Sequence, residues 1–184
     1  GWTRERHIEA FSKIASELKE YTDFCAVSVL DLYKKVRKNA PEIYPPSNKE
    51  QLELLKQLVK IAKDNGITIK GCCEGLFLEE VGVDCSGCQT TETIEKAIGQ
   101  KLIATKKQNV RGACSCLLGQ DIGAYNTCLH LCKYCYANAD KQSVLANAKR
   151  HNPNFPLLIG KIEKDDIVTV AKQESYIDNR LSFF

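Results

Sequence analysis

No apolar run in this 184-residue chain approaches the ~20 residues that a membrane span requires. No stretch reads as a signal peptide. The expectation is a protein that works outside the bilayer. There is no internal repeat and no low-complexity tract, which sets aside solenoids and unfolded linkers. Excess charge is also missing. The formal net charge is +3, too small to argue for nucleic acid by itself. Lys101, Lys106, Lys107 and Arg111 form a local basic stretch, and such runs are usually solvated faces. An initial methionine is absent too. The chain opens Gly1-Trp2, so the expectation is a processed product or a fragment.

Cysteine is what the chain has in quantity. There are ten, and five lie between residues 114 and 135. They read Cys114-x-Cys116, then Cys128-x3-Cys132-x2-Cys135, with Tyr134 directly before the last. Disulfide scaffolds are short and loop-rich throughout, whereas here long cysteine-free helical patterns surround one dense knot. A reducing, cytoplasmic and oxygen-poor setting fits that arrangement. Cys128, Cys132 and Cys135 cannot pair among themselves without leaving one over. They can converge on one 4Fe-4S cluster, three irons ligated by protein and the fourth left open. Zinc is the competing metal, since it takes four thiolates or three thiolates and a histidine, and His130 lies inside the loop. Spacing of x3 before x2 is less typical of zinc. The cluster is therefore the expectation, with His130 outside the ligand set.

Cys114 and Cys116 have no place on a cluster that keeps an open iron. Cys72, Cys73, Cys85 and Cys88 are the available partners, and Cys85-x2-Cys88 is a two-ligand clip. The expected second site is Cys72, Cys88, Cys114 and Cys116, with Cys85 able to replace Cys72 or Cys88. It suits a second cluster or structural zinc. Cys73, and above all Cys25 inside an apolar strand, read as buried free thiols.

The Cys128–Cys135 spacing resembles the signature of radical S-adenosylmethionine enzymes, matched position by position by Cys128, Cys132, Tyr134 and Cys135. That resemblance implies S-adenosylmethionine at the open iron, radical chemistry, and an external substrate and electron donor. Two features depart from that pattern. The loop lies about fifty residues from the end of the chain, and no Gly-Gly-Glu-like segment follows it. The wider segment resembles one poorly characterised bacterial family of unknown function. Its matching residues here are Arg111, Cys114, Cys116, Asp121-Ile122-Gly123, Tyr125, Cys128, Cys132 and Tyr134 to Asn138. In that family a C-terminal cysteine cluster follows a barrel-like region. The resemblance runs from about Thr3 to the C-terminus, and it implies that this chain is the family's C-terminal part.

Periodicity predicts a helix from Thr3 to about Glu20 on the stripe Ile8, Phe11, Ala15 and Leu18. Phe24–Leu30 reads as a buried strand, followed by a short helix to about Asn39. Pro41, Pro45 and Pro46 mark a loop. Ser47 and Glu50 form a capping box for the strongest helix, whose stripe is Leu52, Leu55, Leu58, Val59 and Ala62. Gly66 ends it. Ile67–Gly71 is a second strand, Thr90 caps a helix to about Ile98, and Asn138 to about Arg150 is helical. Pro156–Ile159 is a last apolar piece. This order predicts parallel strand pairing in an α/β fold. The expectation is partial TIM-barrel-like βα units over residues 1–110 and an irregular cysteine-rich cluster region over 111–184, folded as one unit. Two strands cannot close a barrel, which needs about eight. A missing N-terminal barrel half, or another copy, is the expected partner.

Functional groups of βα barrels gather at the C-terminal strand ends. Asp31 and Glu74 follow the two strands and are candidates for substrate binding or acid–base work. For Asp31 a helix cap is an equal reading. Arg111 is placed to pair with a carboxylate or with a thiolate-ligated cluster. Asp121, before Gly123, reads as a turn residue. The sequence thus predicts an iron–sulfur protein, with a non-enzymatic zinc or iron–sulfur module as the alternative, and it names no substrate.

Overall fold

The computed structural model describes residues 2–103, 116, 123–170, 172 and 175–180. Arg111, Cys114 and Asp121 lie outside them. The chain divides into two compact units. One comprises Gly1–Val29, Pro46–Gly119 and Ser175–Phe184; the other comprises Leu30–Pro45 and Gln120–Glu174. Among the described residues no helix is long and apolar enough to cross a membrane.

The first unit is mixed α/β. Helix α1, Arg4–Glu17, is capped by Thr3, whose side chain accepts from the Arg6 N–H. It stops short of the expected Glu20, which adopts a left-handed φ of +69°. Helix α3, Asn48–Asp64, carries the capping box between Ser47 and Glu50 and ends before Gly66 at φ +74°. Strands β1, Phe24–Val27, and β2, Thr68–Gly71, pair in parallel with Phe24 opposite Thr68 and Val27 opposite Gly71. The parallel pairing requires a crossover, and α3 lies on it in sequence. β1 is shorter than expected because the ladder ends at Val27. Beyond it the Ser28 hydroxyl and the Val29 N–H both turn to the Glu74 carboxylate.

The core gathers Ala15 of α1, Leu55, Leu58, Val59 and Ala62 of α3, and Ile67 and Ile69 around β2, with Leu78 and Val83. Leu78 belongs to a 3₁₀-helix, Leu76–Val81, that periodicity did not predict. The run is too short for a helical stripe, and burying Leu78 is what fixes it. Gly82 closes it at φ +86°, where a side chain would be strained and would also press on Val59. Leu78→Ala should cost about 2–5 kcal/mol, the range for emptying a sealed core site. Denaturant unfolding measures it, and a loss near zero would mean that the 3₁₀-helix is not anchored by Leu78.

Past β2 the chain makes a single parallel bridge between Lys70 and Asp84. The sheet named by the ladder has two strands among the described residues. The fold is α/β with a small parallel sheet, and among the described residues no closed barrel forms. Helix α4, Thr91–Ile98, is capped by Thr90 and ends at Gly99, φ +68°.

In the second unit, helix α2, Lys34–Asn39, buries Val36. Helix α5, Lys141–Arg150, starts three residues later than expected. Asp140 caps it through the Ser143 N–H, while Asn138 and Ala139 are held by the cysteine loop instead. Residues 156–159 form bends, with Leu157 and Leu158 exposed.

Candidate metal centre

In the first unit the thiols gather beyond the C-terminal ends of the strands. Cys72 directly follows β2, and its N–H donates to the Val27 carbonyl at 2.8 Å, continuing the ladder. Cys73 then takes a left-handed φ of +60°, a rare conformation for a side chain with a Cβ. The chain returns through Asp84 to the loop of Cys85–Cys88. Lys70 holds this loop. Its ammonium donates to the Gly87 carbonyl at 3.2 Å and pairs with Asp84 at 3.3 Å.

That loop brings Cys88 to Cys116, with sulfurs 3.5 Å apart. Cys72 lies near enough to Cys88 to act on its charge as well. Burial first, then the neighbouring thiols of Cys116 and Cys72, push Cys88 up to about 12. Cys116 is buried, and the Gln89 N–H donates to its sulfur at 3.4 Å. An N–H aimed at sulfur stabilises the thiolate form and tunes a metal-bound one. Cys88 thus touches Cys116, with Cys72 near enough to act on its charge, short of a three-thiol cluster among the described residues. Cys114 stands two residues from Cys116 in sequence, outside the described residues.

Cys85 goes elsewhere. It packs against the hydrophobic core, and its sulfur lies near the Gly75 and Val83 carbonyls. Burial, then the carboxylates of Glu79, Asp84 and Glu74, raise its thiol pKa. Cys25 is half-buried in β1, and burial raises it too. Glu74 accepts both the Ser28 hydroxyl, at 3.1 Å, and the Val29 N–H, at 2.7 Å, on the same oxygen, Oε1. The carboxylate therefore pins the segment leaving β1.

The second unit holds the other cysteines on a loop tied at its base. The Asn126 N–H donates to the Ala137 carbonyl at 3.0 Å, and its side-chain oxygen accepts from the Ala139 N–H. Asn147 of α5 donates to the Asn126 carbonyl at 3.2 Å. Within the loop Leu131 has a left-handed φ of +52°, a turn between Cys128 and Cys132 that costs about 1–2 kcal/mol for a non-glycine residue. Cys128 and Cys132 are exposed and Cys135 is half-buried. The Asn138 N–H donates to the Cys135 sulfur at 3.4 Å, and its amide donates to the Cys128 carbonyl at 2.8 Å. Asn138 is only 7% exposed, and its Oδ1 has no hydrogen-bond partner among the described residues. A buried acceptor without a partner costs about 1–3 kcal/mol, so the loop carries an unmet polar demand beside its cysteines.

The segment before α2 also reaches this loop. The Asp31 N–H donates to the Tyr134 hydroxyl at 3.3 Å, and Lys35 donates to the Tyr136 carbonyl at 3.2 Å. Lys133 pairs with Glu42 at 3.5 Å on the surface, a contact worth little by itself. Among the described residues no three His, Cys, Asp or Glu side chains stand together in metal-holding geometry. Asn138 is the member of this site that residue type alone did not single out. Its position three residues beyond Cys135, where a backbone N–H turns back on sulfur, is the signal.

These features define a class: an α/β protein with thiols gathered past the ends of a parallel pair and a second, tied cysteine loop. The chain belongs to the family described as a domain of unknown function, DUF1848, whose model matches residues 1–137. That match takes in Cys128, Cys132 and Cys135 and stops before Asn138, short of the C-terminus. No curated protein and no solved structure matches the chain.

Proposed function

We propose that this chain is a cytoplasmic, oxygen-sensitive iron–sulfur protein. A 4Fe-4S cluster is held by Cys128, Cys132 and Cys135. A second site, cluster or zinc, is held by Cys72, Cys88 and Cys116 with Cys114. The contact of Cys88 with Cys116, with Cys72 near Cys88, carries the reading, because thiols so far apart in sequence gain little by touching one another. Donor chemistry suits the groups named. Soft thiolates are what iron–sulfur clusters and zinc take. The N–H donors on Cys135 and Cys116 supply the hydrogen bonds to sulfur that tune such sites. The unmet Oδ1 of Asn138 adds a polar group with capacity left beside the loop.

When bound, a three-thiolate cluster supplies an electron and an open iron. The resemblance to radical S-adenosylmethionine enzymes makes that cofactor the proposed co-substrate, with an external electron donor. The protein's own part is to hold the thiolates and shape the surroundings. Tyr134, fixed by the Asp31 N–H, orients the backbone at Cys135. Asp31, Glu74 and Arg111 are the proposed groups for substrate or proton handling. For Glu74 this falls to Oε2, since both bonds to the chain end on Oε1. The scaffold is proposed to be part of a TIM-type barrel. β2 has a single bridge on its far side, and further strands from a preceding segment or another copy would extend the sheet.

A non-enzymatic module is favoured by one observation: Cys116 is buried, as structural zinc ligands in a closed four-thiolate site are. Anaerobic purification with iron, sulfide and zinc analysis separates the two. The iron–sulfur reading expects about four irons and four sulfides for the first site and broad visible absorption. Colourless protein holding zinc without iron would replace it with the module reading.

A further inference from the structure

The cleft between α2 and the cysteine loop has a chemistry of its own. A cavity of about 500 Å³ is lined by Tyr33, Lys34, Lys35, Tyr125 and Tyr136, all within the second unit. It is open to solvent along most of its rim, with room for a small molecule laid against its wall. The rings of Tyr33 and Tyr136 sit 5.5 Å apart, tilted by 37°. The Lys35 ammonium lies 5.2 Å from the centre of the Tyr125 ring and donates to the Tyr136 carbonyl. Lys35 thus binds Tyr125 and Tyr136 into one wall.

Two facts say what this cleft would hold. Tyr125 is 63% exposed and Tyr136 54%, so large ring surface is kept facing open space in a region that buries Val36 and Val144 completely. Aromatic faces gain by stacking on another flat ring. The lining also carries two ammonium groups, with one carboxylate behind it, Asp31, accepting from the Tyr33 hydroxyl at 3.4 Å. Lys35 is fixed, while Lys34 is exposed and able to swing over a ligand. Tyr136 adjoins Cys135, so whatever stacks there lies beside the cysteine loop.

We infer that this cleft binds a small planar-ring anion, a ring bearing a carboxylate or phosphate and about the size of a nucleoside monophosphate. The tyrosines hold the ring, and Lys34 with Lys35 holds the charge. As a substrate class for the loop cysteines, this rests on the iron–sulfur reading above; as a binding site it stands on the cleft alone.

Calorimetric titration of the anaerobically purified full chain tests it. The probes are adenosine monophosphate and benzoate, with adenosine and inorganic phosphate as controls. Adenosine monophosphate or benzoate should bind about tenfold more tightly than both controls, given the worth of a stacked ring. Tyr125→Ala and Lys34→Glu alter exposed side chains, and each should weaken binding about tenfold. Unchanged melting checks that both variants fold. Equal binding of all four probes, no binding of any, or full affinity in both variants would overturn the proposal. Iron analysis of the same sample keeps the two readings apart. Ring-anion binding without iron leaves the cleft and removes the cluster. Iron without ring-anion binding does the reverse.

Discussion

Changing Cys114 and Cys116 together to alanine should lower the metal content while leaving the visible spectrum of the Cys128–Cys135 site intact. The melting temperature should fall with it. Metal binding free energy is folding free energy where ligands come from distant parts of the chain. Here they come from the end of β2, the loop before α4 and position 116, so a bound ion ties three pieces of the first unit. Without it, the nearness of Cys72 to Cys88 contributes little by itself. A loss of about 3–5 kcal/mol corresponds to about 6–20 °C at this chain length. Cys85→Ala is the control. Its sulfur packs on the core, so it should lower melting modestly and leave the metal in place. Unchanged metal and unchanged melting in the double variant would refute a second site. Lower melting with unchanged metal would make Cys116 a packing residue only.

Cys85 and Cys88 illustrate what spacing conveys and what it does not. A C-x2-C pair suggests two ligands on one ion, and on that ground Cys85 and Cys88 belong together. The chain turns otherwise. Asp84 bridges to Lys70, Lys70 holds the Gly87 carbonyl, and the two cysteines leave that anchor in different directions, Cys85 to the core and Cys88 to Cys116. A salt bridge made by a strand lysine decides this, and no local pattern records it.

Helix limits were legible where a side chain closes the end. Ser47 with Glu50, and Thr90, each mark a start through a bond visible in the residue types. Limits set by distant partners were not. β1 stops at Val27 because Glu74, forty-five residues beyond Val29, takes the next N–H. Likewise Asn138 reads as helical by propensity and is withheld from α5 by Cys128 and Cys135. The cysteine loop itself was legible as a spacing. Its closure by Asn126 was not, because a left-handed asparagine, here at φ +62°, looks like any other loop residue in sequence.

The largest expected effect lies in that loop. Changing Cys128, Cys132 and Cys135 together to alanine should abolish iron binding at the first site, its visible absorption and any radical activity. A cluster left with no protein thiolate has nothing to hold it. The fold should survive. Cys128 and Cys132 are exposed, and the loop base is tied by Asn126 to Ala137 and Ala139 rather than by sulfur. Melting should therefore move by only a few degrees, in contrast to the Cys114 and Cys116 pair. His130→Ala separates the metals. His130 is exposed inside the loop, and a cluster held by three thiolates does not need it, so iron should remain. A zinc site built on three thiolates and this histidine would lose its ion instead. Retained iron in the triple variant, with all of it removed by changing Cys72, Cys88, Cys114 and Cys116, would assign the only cluster to the first unit. The Cys128–Cys135 loop would then be left without a metal role.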